Sequence, residues 1–179
     1  MKITLLFALI MLSAQARTLT VMTYNAHNLF DTVHDEGKND YTYLPLSFKE
    51  QSAEVQAYCA SLSSEYYRDN CLNFDWSEKV LEKKLNNLKR VIITLSNGRG
   101  ADIIALQEVE NKNVLTMLQK KLARYGYRYV SLIEGPDSRG IDVGFISKYK
   151  INKEQLHLVD MTGVAKETRG ILEIEVEVS

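Results

Sequence analysis

Three short stretches of the chain set oxygen- and nitrogen-bearing side chains beside apolar runs, in a pattern that could bind metal and phosphate. They are Tyr24-Asn25-Ala26-His27-Asn28-Leu29-Phe30-Asp31, Asp102-Ile103-Ile104-Ala105-Leu106-Gln107-Glu108-Val109-Glu110-Asn111 and Gly135-Pro136-Asp137-Ser138-Arg139-Gly140-Ile141-Asp142-Val143. Mg²⁺ and Mn²⁺ prefer oxygen ligands, keep several waters and are often held by only one or two protein carboxylates. Guanidinium groups supply charge-assisted hydrogen bonds to phosphate oxygens. Singly, each stretch says little. An Asn after a strand is usually a turn residue, a Glu after an apolar strand is usually solvated, and an Arg in a glycine-rich loop usually faces water. Their joint occurrence is what points to chemistry.

Together the stretches YNAHNLFD, ADIIALQEVEN and GPDSRGIDVG resemble the endonuclease/exonuclease/phosphatase superfamily, and within it a secreted bacterial branch. Gly144 stands where that branch commonly has Ala, and Thr168-Arg169-Gly170-Ile171-Leu172-Glu173-Ile174 looks like the family strand that carries a phosphate-contacting arginine. The resemblance covers Leu19 to Val178, with the segments in family order. It implies that Glu108 is a ligand of a divalent cation, Mg²⁺ or Mn²⁺, and that Asn25 helps to set the metal and phosphate position. It implies that Arg139 and Arg169 hold phosphate oxygens. Asp142 is left open: it orients Arg139 or a catalytic group, or it fixes the loop. The implied activity is that of a secreted metal-dependent phosphodiesterase of nuclease type. DNA, RNA, sphingomyelin and phosphoinositides would all present a phosphoester to such a core, and fold analogy does not choose among them.

The family also places a His-Asp pair and a G-D-x-N segment in its C-terminal half, and neither an Asp-His dipeptide nor G-D-x-N occurs here. The expectation is therefore an incomplete chain, inactive or nearly so alone. His27, His34 and His157 do not fill the gap, since a histidine without an orienting partner is a poor base. The second reading is a non-catalytic binding protein, or a decayed fragment that keeps half of the fold.

The elements that must position these residues are legible from periodicity. Thr18 to Tyr24 reads as a strand, Asp31 to Lys49 as a solvated acidic loop, and Gln51 to Tyr67 as a helix carrying Cys59. Asp75-x-x-Glu78 resembles a capping box ahead of a helix in which Leu81, Leu85, Leu88, Ile92 and Leu95 recur every three or four residues. Gly98 and Gly100 should end it. Basic residues in Lys79 to Arg99 and in Lys112 to Arg128 read as solvated helix faces. Asp102 to Gln107 reads as a buried strand, Val114 to Arg124 as an amphipathic helix, and Tyr127 to Ile133, Ile141 to Ser147 and Gln155 to Val159 as strands. Leu172, Ile174, Val176 and Val178 alternate with Glu173, Glu175 and Glu177, which gives a last strand with one apolar face. That face needs a cover, either a further half of the fold or a partner. The fold class is α/β of the α+β kind, with helices on one face of a sheet. The family resemblance makes it a truncated part of a four-layer α/β/β/α, DNase I-like sandwich.

Composition sets the remaining bounds. Of 179 residues, 45% are hydrophobic and 25% charged, which is ordinary for a globular protein. Lys2, the apolar run Ile3 to Leu12 and Ala14-Gln15-Ala16 read as a secretory signal over residues 1–16, cleaved near Ala16 to leave a domain over 17–179 in the periplasm or outside the cell. The apolar run is too short for a span of about 20 residues, so no stable membrane insertion is expected. Cys59 and Cys71 should meet an oxidising compartment and form a disulfide. The alternative is two separate buried thiols; the spacing and the absence of a neighbouring His argue against zinc. A net charge of −1 lacks the basic excess of proteins that hold nucleic acid by bulk attraction. A nucleic acid or other phosphodiester partner would have to be held by local cations and metal.

Overall fold

The computed structural model describes residues 18–160, 162–163 and 168–178. The signal segment lies outside the described residues. The elements run β1 (Val21–Leu29), a single 3-10 turn (Tyr41–Tyr43), α1 (Leu46–Gln51), α2 (Ala53–Ser61), α3 (Glu65–Asn73), α4 (Glu78–Gly98), β2 (Ile103–Val109), α5 (Lys112–Leu122), a second 3-10 turn (Ala123–Tyr125), β3 (Tyr129–Leu132), β4 (Asp142–Ser147), β5 (Lys150–His157) and β6 (Ile171–Glu177).

Four strands form one sheet in the order β1-β2-β4-β3, with β1 parallel to β2 and the other pairs antiparallel. The alternation read in the sequence decides which way each strand faces. Ala26 and Leu29 of β1, Ile104 and Leu106 of β2 and Ile146 of β4 are buried. They meet Leu81, Leu85, Leu88 and Ile92 of α4 and Val114, Leu115, Leu118 and Leu122 of α5 in one core. Val21, Thr23 and Asn25 point to the other side of β1 and are exposed. Gly144 also has a packing reason. A Cβ there would sit 2.8 Å from Cδ2 of the buried Leu115, so the larger residue on α5 takes the space an Ala would need.

β5 and β6 form a separate antiparallel hairpin, in register from Lys150↔Glu177 to His157↔Ile171. It touches the main sheet at β3 and β4. The arrangement is the expected α+β class: a helical layer, a sheet, and a hairpin against the sheet, consistent with a DNase I-like fold. The fifth strand runs from Lys150 rather than Gln155, because its pairing with β6 already begins at Lys150↔Glu177.

Three local expectations are corrected. The span 51–67 is broken in two, since Leu62 and Ser64 are extended, and the Cys59–Cys71 disulfide then joins α2 to α3. The N-cap of α4 is Ser77 and no capping box forms; Asp75 Oδ1 instead accepts the Leu46 amide at 2.9 Å. Gly98 and Gly100 do take positive φ, but helical dihedrals already fail at Leu95, and Ser96 and Asn97 are left-handed.

The acidic stretch 31–49 is the largest correction. It is folded onto the domain through particular buried residues rather than solvated throughout: Asp31 and Asp40 are buried, and Lys49 is fully buried. Lys49 Nζ donates to the carbonyls of Thr42 and Phe74, both at 2.7 Å, which ties the 3-10 turn to the end of α3. Burial lowers its ammonium to about 8. Asp31 accepts from Asn111 and Asn113, while the Asp31 amide donates to Glu110 at 2.7 Å. Burial pushes the Glu110 carboxyl up to about 9, and the neighbouring Asp31 carboxylate adds to the rise. Periodicity cannot see such a segment, because it is held by particular polar contacts, those of Asp31 reaching residues some 80 positions away in the chain. No helix among the described residues is long and apolar enough to cross a membrane.

Candidate functional site

β1 and β2 run parallel, and both bulge at their C-terminal ends. The register passes from Asn25↔Gln107 to Leu29↔Val109, leaving three β1 residues against one of β2, and His27 and Asn28 have φ of 55° and 61°. Glu108 is the odd residue of β2, with φ 60° between Gln107 (opposite Val143) and Val109 (opposite Asp142). A bulge re-aims a side chain out of the alternation. A left-handed non-glycine residue costs of order 1–3 kcal/mol and persists where the surroundings over-determine it. Three such residues at the ends of neighbouring strands mark the place where the sheet has been shaped for something other than pairing.

The bulges set the carboxylate. Glu108 Oε2 accepts the Asn28 amide at 3.1 Å, and its Oε1 has no hydrogen-bond partner among the described residues. Asn25 lies on the exposed side of β1, where its Oδ1 accepts the His27 amide at 2.7 Å and so holds the bulge. Lys84 of α4 donates to the His27 carbonyl at 2.8 Å. Burial lowers its ammonium below the ordinary value, and the nearby Glu108 carboxylate partly restores it. Lys84 was expected on a solvated helix face and sits at the site instead.

The two arginines meet on one carboxylate. Asp137 Oδ2 lies 3.3 Å from Arg139 Nη2 and 3.6 Å from Arg169 Nε. Burial pushes the Asp137 carboxyl up, but the Arg139 amide and guanidinium with Arg169 outweigh it and hold the group below the usual carboxylate range. The carboxylate that pairs with Arg139 here is Asp137 rather than Asp142. Asp142 is buried and its Oδ1 accepts the Gly135 amide at 2.9 Å, which fixes the loop's first turn. Burial raises it to about 6. Gly135 is required there, since a Cβ would stand 2.8 Å from both Asp142 Oδ1 and the Arg169 carbonyl. Lys38 Nζ reaches the Asp137 carbonyl at 3.1 Å, and the Asn39 amide donates to the Ser138 carbonyl at 2.8 Å, so the acidic stretch also braces the arginine loop.

Of these groups, Asn28, which holds Glu108, and Arg139 line one opening. A cleft of about 560 Å³ is lined by His27, Asn28, Tyr43, Tyr66, Tyr67 and Arg139 among others. Tyr43 is the shared wall. It stacks on Phe30 with ring centroids 4.2 Å apart. Burial raises its hydroxyl, Glu108 pushes the same way and Arg139 opposes. Tyr43, Asn28, Asp137 and Lys84 were not singled out in the sequence. The one available signal was that Asn28 and Asp137 fall inside the motifs.

His34 does have an orienting carboxylate, with Nδ1 2.5 Å from Asp40 Oδ1, and His157 has Glu173 at 2.7 Å. His34 stacks on Tyr41 and His157 is on the outer hairpin; neither lines the cleft. Among the described residues no group of three or more His, Cys, Asp or Glu could hold a metal ion. One carboxylate with a free oxygen and an amide carbonyl suit a hard cation that keeps most of its waters, and do not suit zinc.

No curated protein and no solved structure matches the chain. A family model does match, over residues 64–178, a span that holds Glu108, Arg139, Asp142 and Arg169 but not Asn25. With the paired bulges, the arginine loop and that match over more than half its length, the chain belongs to the Endonuclease/Exonuclease/phosphatase family.

Proposed function

We propose that the chain carries the metal- and phosphate-binding side of a secreted, Mg²⁺- or Mn²⁺-dependent phosphodiesterase. The family supports a phosphoesterase of nuclease type in general. The observation that supports the finer reading is Glu108, held in a left-handed bulge with one oxygen free and bonded to Asn28, which lines a cleft together with Arg139. Glu108 and the Asn25 carbonyl would hold the cation, which when bound would polarise a phosphoryl oxygen and stabilise charge on the leaving oxygen. Arg139 and Arg169, now shared by Asp137, would turn to the non-bridging oxygens. The disulfide and the apolar N-terminal run support export.

The test is titration of Mn²⁺ into the chain, followed by hydrolysis of bis(p-nitrophenyl) phosphate with and without EDTA. Glu108→Gln keeps an acceptor for the Asn28 amide, so it should fold as before yet bind Mn²⁺ at least about tenfold more weakly. Equal Mn²⁺ affinity in the variant would remove the metal assignment. Metal and phosphate binding without turnover would favour the non-catalytic reading, for which the specific observation is that neither carboxylate-paired histidine lines the cleft.

A further inference from the structure

The wall of the cleft opposite the strand ends is built from the helical pair that the disulfide joins. Tyr66 and Tyr67 of α3 are 71% and 63% exposed, with ring centroids 5.5 Å apart and planes at 68°. Phe74, at the end of α3, is 37% exposed and meets Tyr43 edge-on at 6.4 Å. Burying such rings would be favourable, each carrying a large apolar area. Here they are held open towards a cleft.

Three features say what the cleft would take. Its volume of about 560 Å³ lies within the range of roughly 300–1,000 Å³ usual for small-ligand sites. Its lining contains no carboxylate and one guanidinium, in a protein whose net charge is −1, so it suits an anion, and a cationic headgroup would find ring faces but no counter-charge. Asn39 and Asn70 add amides, and the Asn39 side chain makes no hydrogen bond among the described residues. Arg139, Tyr43 and the tyrosine pair line the same opening, so a group stacked on the rings stays covalently within reach of a phosphate at the arginine.

We propose that this cleft is a subsite for an unpaired nucleobase next to the scissile phosphate, with Tyr66 and Tyr67 as stacking faces and Asn39 and Asn70 meeting the base edge. The substrate class is then single-stranded or locally unpaired nucleic acid. A base within a duplex has both faces covered by its neighbours and cannot stack on a side chain without leaving the helix. The inference rests on the phosphodiester reading of the same cleft and adds the substrate to it.

The experiment compares binding of three fluorescein-labelled probes by the full chain, without added metal so that none is cut. They are a mixed-sequence single strand, an abasic strand of equal length and charge, and a blunt duplex. The single strand should bind about tenfold more tightly than the abasic strand, the scale of one stacked base. Tyr66→Ala with Tyr67→Ala should reduce it to the abasic level and leave abasic binding unchanged, whereas Tyr66→Phe with Tyr67→Phe should retain it. Both tyrosines are exposed, so the fold should survive, which circular dichroism checks. Equal binding of single and abasic strands overturns the subsite. So does an unchanged double-alanine variant, or tyrosine-dependent capture by phosphatidylcholine vesicles. If abasic binding falls with Arg139→Ala while bases add nothing, the phosphodiester reading stands and the subsite fails. If no probe binds, both fail.

Discussion

Asp142 lies inside a motif, and its contacts are with the backbone of its own loop. Its carboxylate is buried at the start of β4 and holds the Gly135 amide, and with it the turn that presents Asp137 and Arg139. Burial raises its folded value to about 6, above the ordinary 3.8 of an unfolded chain. The unfolded state therefore loses this proton first as pH rises. Its contribution is fully present below about pH 4 and is lost as pH climbs through about 6. Asp142→Asn keeps the acceptor for Gly135 and cannot ionise. Urea unfolding from pH 4 to pH 7 should show wild-type stability falling by on the order of 2 kcal/mol more than that of the variant. Parallel curves would mean that Asp142 ionises as freely when folded as when unfolded. Little of this was readable beforehand. The motifs named Glu108, Arg139 and Asp142 as a group, but Asp137 as the common partner of two arginines depends on Arg169 arriving from the hairpin.

At the scale of elements, periodicity succeeded where one face of an element is apolar and failed where a segment is held by polar contacts. The leucines of α4 and the alternation in β6 were legible because burial acts on side chains at a fixed spacing. The 31–76 stretch was not, because Lys49, Asp40, Asp31 and Glu110 gain their partners only in the folded chain. The bulges of β1 and β2 were hidden for a related reason, since a left-handed Glu108 has no sequence signature of its own. The disulfide is the exception, anticipated from two cysteines and an apolar N-terminal run read as a signal. It closes a separation of 12 residues and sits in a small cluster of its own with Tyr41, Leu44 and Val55, apart from the main core. Reducing it, or replacing both cysteines by serine, should destabilise α2 and α3 by about 3 kcal/mol on the chain-entropy view. Amide exchange should then rise in 53–73 while β2 and α4 keep their protection. Equal loss of protection in the sheet would show that the helical pair and the core unfold as one unit.

For the whole molecule, the unequal depth of the two sheets sets the dynamics. β2 is central in four strands and covered by α4 and α5, with Ile104, Leu106 and Val109 fully buried. The β5–β6 hairpin has only Leu172 buried; Ile171 is 61% exposed, and the cross-strand pairs Lys153–Glu175 and His157–Glu173 lie in solvent. Exposed ion pairs contribute roughly 0–1 kcal/mol, and a two-stranded hairpin alone is marginal in water. Arg169 stands just before β6, so the arginine pair proposed to hold phosphate is built half from the loop that leads into the firm sheet and half from its least anchored part. Native-state hydrogen exchange should find the β6 amides opening well before those of β2, with Arg139 and Arg169 uncoupled in that open state. A phosphate anion that bridges both guanidiniums would bind only the closed arrangement and would slow β6 exchange in proportion to its occupancy. Exchange in β6 that is as slow as in β2 without ligand, or unaffected by saturating phosphate, would show that the hairpin is already fixed and that Arg169 takes no part in anion binding.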